Sequence, residues 1–111
     1  MEKRTQGFSL SVRDFCYSCN KEEINLIYIK QLVRSAGSVG ANYIEANDSL
    51  GNKDKKMKIR ISKKEAKESA YWLNHISAHN DQYLESNKME LITEANELVL
   101  ILASILRKLE D

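Results

Sequence analysis

The chain has 111 residues, a length that suits one domain and leaves too little material for a second independent core. With 42% hydrophobic and 30% charged residues it is not of the composition that stays disordered, and a net charge of +1 excludes a uniformly basic or acidic protein. Proline is absent and there are only four glycines, so long stretches run without a chain breaker and favour helices.

The opening residues, Met1 to Asp14, carry Glu2, Lys3, Arg4, Arg13 and Asp14 and lack the apolar run of an export signal. From about Lys3 to Cys19 the spacing of Phe8, Val12, Phe15 and Cys19 predicts a first helix. Asn20 suits the cap of the next helix, with Glu22 and Glu23 in its first turn. That second helix is predicted from about Glu22 to Asp48, with a buried seam of Leu32, Ala36, Val39, Tyr43, Ala46 and Leu50. Gly37 and Gly40, beside Ala36, Ser38 and Ala41, each cost about 1 kcal/mol inside a helix, so Ser35 to Ala41 reads as a close helix contact or else a kink. The stretch Asn47 to Asn52 is the most turn-like in the chain, with Gly51 available for a positive φ.

A third helix is predicted from about Lys53 to Asp81, with Ile59, Ala66, Ala70, Leu73 and Ile76 facing one way. The fourth, about Lys88 to Leu109, shows the clearest pattern: Leu91, Ala95, Leu98, Leu102, Ile105 and Leu109, widened by Ile92, Val99 and Leu106 to the stripe of a bundle helix. Four helices with short links predict an all-α, antiparallel up-down four-helix bundle that occupies residues 1–111 as one domain. No run approaches the roughly eighteen apolar residues of a membrane span, and two cysteines do not make a disulfide scaffold, so a cytoplasmic protein without membrane contact is expected.

Charge is unevenly placed. From Lys53 to Lys67 eight basic residues face two acids, whereas from Asp81 to Asp111 seven acids face three bases. Lys53, Lys56, Arg60, Lys63 or Lys64, and Lys67 recur at helical spacing, a stripe along which a polyanion can lie; the plain alternative is a solvated face of ion pairs such as Asp54 with Lys58. Tyr43, Tyr71 and Trp72 have flat rings that can stack on bases, but aromatics at this spacing more often pack in a core.

Enzyme readings start from little. His75 and His79 are four apart on the predicted third helix but lack the further ligands of a metal site. Cys16 and Cys19 have the spacing of a zinc or redox pair, yet they fall late in a helix with no second pair, and packing is the better reading. Phosphate-binding glycine loops and nucleophile elbows are missing, so neither catalysis nor a cofactor nor a metal is expected.

At RSAGSVGANYIEAND, Arg34 to Asp48, and KKEAKESAYWL, Lys63 to Leu73, the chain resembles the four-helix-bundle family of 23S ribosomal RNA intervening-sequence proteins. Arg4, Thr5 and VRDFC at Val12 to Cys16 extend the similarity to the first helix. It is also similar to the accessory variability protein of diversity-generating retroelements. The resemblance implies a bundle that forms a ring-like homopentamer, bacterial genes sometimes embedded in ribosomal RNA operons, and no established catalysis. It points to Arg34, Ser35, Ser38, Gly40, Ala41, Asn42, Glu45 and Ala46 on the second helix and to Lys64, Glu65, Ala66, Glu68, Trp72 and Leu73 on the third, as assembly or family-motif residues. Asn74 and His75 stand where relatives have a basic and an apolar residue.

The expected function is therefore a non-enzymatic oligomer that binds RNA or a ribonucleoprotein, with Lys53, Lys56, Arg60, Lys63 and Lys67 as the nucleic-acid face. The alternative is a protein-binding adaptor, such as an accessory subunit of a reverse transcriptase, without direct nucleic-acid contact. Partners are copies of the chain itself, then RNA, DNA or a nucleic-acid-processing protein.

Overall fold

The structure, a computed structural model, describes residues 1–110. It contains four helices, α1 (Glu2–Ser18), α2 (Glu23–Asn47), α3 (Asn52–His75) and α4 (Gln82–Glu110), with no strand among the described residues. They form an elongated bundle of 47 × 20 × 20 Å in which α2 packs on α3, α3 on α4, and α1 closes the ring against α2 and α4. Neighbours run antiparallel: Asn47 at the end of α2 meets Glu2 at the start of α1, Arg34 of α2 meets Glu65 of α3, and Arg60 of α3 meets Glu110 of α4.

The apolar stripes set this packing. Phe8, Val12 and Phe15 of α1, Leu32, Ala36 and Val39 of α2, Ile59, Ala66 and Leu73 of α3, and Leu91, Ala95, Leu98 and Leu102 of α4 are all buried in one core. Full burial of each large member contributes about 1.5–3 kcal/mol. Cys16 and Cys19 belong to the same core as free thiols. Burial, then the neighbouring Cys19, pushes the Cys16 thiol up to about 12, the opposite of a reactive thiol.

Two helix boundaries and the places of Leu50 and Gly51 differ from the sequence expectation. Helix α3 stops at His75, not near Asp81, and Ile76 continues in extended backbone (φ −75°, ψ 127°) while staying buried. The cause is a clip from α2: the buried Asn25 side chain donates to Ser77 O at 2.9 Å and accepts from Ser77 N at 2.9 Å. His79 and Asn80 then turn the chain with positive φ, a conformation Asn tolerates. Helix α4 begins at Gln82 rather than Lys88, because Asp81 Oδ1 accepts from Leu84 N at 3.0 Å and caps it. Leu50, placed in the α2 seam by its spacing, lies beyond the helix end and is exposed. Gly51 has φ −146° and caps α3 from the extended region, so the turn does not use a positive φ there.

At the start of α2, Glu22 takes the capping place, its carboxylate accepting from Asn25 N, while Asn20 Oδ1 accepts from Glu22 N one step earlier. The close contact predicted at Ser35 to Ala41 is real and lies inside the chain. A Cβ on Gly40 would stand 3.1 Å from Thr5 Oγ1 of α1, so a side chain there would push α1 back by a few tenths of an ångström. Gly37 faces more open space, with Ser9 Oγ at 3.9 Å.

Candidate nucleic-acid interface

Helix α3 carries two kinds of polar surface. Its edge toward α2 is bonded into the fold. Arg34 donates to both carboxylate oxygens of Glu65 at 3.2 and 3.4 Å and lies 3.6 Å from Glu68. Burial alone would raise the Glu65 carboxyl, but hydrogen bonds from Glu68 and Arg34 outweigh it and hold it below its ordinary range. Glu68 moves the other way, raised first by its hydrogen bond with Glu65 and then by burial. Ser35 and Ser69 share a hydrogen bond at 2.9 Å, and Ser62 Oγ donates to Val39 O at 2.7 Å, all within the core. Ser38 and Asn42 bond to backbone carbonyls of their own helix, and Lys58 reaches Glu45 at 3.6 Å.

The motif residues of α2 and α3 therefore do not form one site. Arg34, Glu65 and Glu68 are brought together; Ser35 and Ala46 are buried; Gly40 serves the contact with α1; Ala41 and Lys64 are exposed. Ser62 and Ser69, the cross-helix partners, are not singled out by the sequence reading, since a lone serine gives no periodic signal.

The outer line of α3 is different. Lys53, Met57, Arg60, Lys64, Lys67, Tyr71 and His75 follow one another at spacings of three and four, and every one of them is exposed. Lys56 and Lys63, which the stripe reading included, sit half-buried beside this line, and Lys64 takes the exposed place. Among the described residues Lys53, Lys56, Lys63, Lys64 and Lys67 have no carboxylate within 4.0 Å, whereas Arg60 pairs with Glu110 at 3.1 Å. Two other acids of α4 turn away from this line: Glu94 and Glu97 bind Arg4 of α1 at 2.7 and 3.4 Å. The solvated-face alternative needed ion pairs such as Asp54 with Lys58, and Lys58 bonds Glu45 instead.

The line ends in an aromatic cluster. Tyr28 of α2 stacks on Trp72 with centroids 5.9 Å apart, Tyr71 meets Trp72 edge-on at 4.9 Å, and His75 lies 4.3 Å from Tyr71 and 5.1 Å from Tyr28. His75 Nδ1 is 2.7 Å from Tyr71 O, which fixes its ring. Tyr43, by contrast, packs half-buried against the core. His75 and His79 do not share a helix face, because α3 ends between them, and among the described residues no three His, Cys, Asp or Glu side chains gather as metal ligands. No helix of the described residues is long and apolar enough to cross a membrane.

The model of the 23S rRNA-intervening sequence protein family matches residues 2–104. The chain belongs to that family. Two solved chains also match, among them a protein with unknown function from the S23 ribosomal protein family of Bacteroides thetaiotaomicron VPI-5482. It is similar with a TM-score of 0.77 and 25% identity, over 95% of this chain and 96% of that one. No curated protein matches. The family assignment and the bundle agree with the sequence reading, and the matched stretch ends within α4, past most of its apolar stripe.

Proposed function

We propose that this family member is a non-enzymatic, cytoplasmic helical module that assembles with copies of itself, in the ring of five that its resemblance implies, and binds RNA or a ribonucleoprotein through α3. The observation that carries this reading is the outer line of α3, where Lys53, Lys64 and Lys67 are exposed and have no carboxylate within 4.0 Å among the described residues. Unpaired cations in a row release counterions when a phosphate backbone replaces them, and a chain of small total charge keeps a strong local field there. Assembly multiplies this line, and a polyanion that spans several copies is held more tightly than by one. The intervening-sequence name of the family supports an RNA context.

The test is a salt titration of structured RNA binding, paired with light scattering. Binding that falls steeply between low and physiological salt, by an oligomer, agrees with the reading. A monomer, or no retention at low salt, contradicts it. A second reading, a protein-binding adaptor, is favoured by the exposed Ile24, Ile27, Val33 and Ile44 of α2. Salt-insensitive capture of one protein partner would put it ahead.

A further inference from the structure

We propose that Tyr71, braced by Trp72 and His75, is a stacking platform for an unpaired base, so that α3 takes single-stranded nucleic acid in preference to duplex. This rests on the reading of α3 as a polyanion face and names the form of polyanion that fits it.

A tyrosine at core spacing buries its ring, but Tyr71 is 56% exposed and stands on the same line as Lys67 and Lys64, one and two turns before it. One helical turn rises about 5.4 Å, so a chain whose phosphates meet Lys64 and Lys67 brings its next bases to the Tyr71 ring. That ring is held from its own side. Trp72 meets it edge-on at an interplanar angle of 78°, and His75 covers it at 4.3 Å with its own ring tied to the Tyr71 carbonyl. A braced ring loses little rotamer freedom when a ligand stacks on it, which favours binding. Cations that hold the backbone next to an aromatic face that holds a base are the two components of single-strand recognition. Duplex bases are already stacked on both sides, so an aromatic can enter only by unstacking them. Duplex thus gains from the lysines alone.

The chain has one tryptophan, Trp72, with its ring 4.9 Å from that of Tyr71, so its fluorescence reports an arriving base. The experiment compares three probes at low salt: a short oligouridine, the same backbone with abasic sites, and a duplex of equal length. Wild type is expected to bind oligouridine about ten-fold more tightly than the abasic strand. Oligouridine should also outbind the duplex, and only it should change Trp72 emission. Tyr71→Ala should remove the preference without changing the slope of affinity against salt, since no phosphate contact is lost; Tyr71→Phe should keep it. Equal wild-type affinity for all three probes overturns the platform while leaving α3 as a polyanion face. Binding of none overturns both. If Tyr71→Ala alters the oligomer seen by light scattering, the ring lies between copies and the platform is likewise overturned.

Discussion

The two long edges of α3 both carry polar side chains and use them in opposite ways. On the edge toward α2, Glu65, Glu68, Ser62 and Ser69 each have a partner across the helix pair, and the charge of Arg34 is absorbed by the two glutamates. On the outer line, Lys53, Lys64 and Lys67 have none among the described residues. Partnered polar groups fix register and contribute to the fold, while unpartnered ones add little to stability and stay available. Charge density in the sequence is therefore a poor guide to function until the packing shows which charges are already satisfied. Mutations on the two edges should separate stability from binding.

The largest expected effect is on the core that both edges flank. Leu73→Ala, at a fully buried position, should cost about 2–5 kcal/mol by denaturant titration. Gly40→Leu should cost about 1–3 kcal/mol, because its side chain meets Thr5 across the α1–α2 contact; since that contact is internal to one chain, the loss should appear as lowered stability whether or not copies dissociate. On the inner edge, Arg34→Ala leaves the nearly buried Glu65 without its cation. The expected loss is about 1 kcal/mol, kept small because the guanidinium is half exposed and screened by water. Lys64→Ala on the outer line should leave the melting temperature unchanged, a contrast that equal losses at the two positions would erase.

The smallest effect concerns acid. The hydrogen bond from Arg4 holds the Glu94 carboxyl below its ordinary range, outweighing the opposite push of burial. A carboxyl depressed in the folded state contributes stability above the ordinary carboxylate range, and that contribution is lost as pH falls through the folded value. Arg4→Gln should therefore flatten the acid-side decline of the melting temperature relative to wild type. An unchanged decline would show that the α1–α4 pair adds nothing.

Part of this architecture is legible in the sequence and part is not. Heptad spacing in α1, α2 and α4 revealed their buried residues because one apolar stripe repeats along each. The end of α3 was hidden because Ile76 keeps the helical spacing while its backbone has left the helix, held by Asn25 from a distant part of the chain. The first turn of α4 was hidden because only Leu84 marks it as apolar, among polar neighbours. The basic stripe was visible as composition, but the choice of Lys64 over Lys63 for its exposed line depended on the rotation of α3 against α2 and α4. His75, weighed from the sequence as a metal ligand, belongs to an aromatic cluster whose second helix contributes Tyr28; no local spacing links residues so far apart in sequence. Tyr71 and Trp72 are adjacent in the chain, yet only packing decides that Trp72 leans inward on Tyr28 while Tyr71 stays outside.

The most direct test of the outer line is a double charge reversal, Lys64→Glu with Lys67→Glu, compared with wild type in a salt-titrated RNA-binding assay after circular dichroism and light scattering show equal folding and assembly. The account predicts that binding is lost at low salt while the melting temperature stays close to wild type. Equal binding by the two proteins would contradict it and remove α3 from the interface.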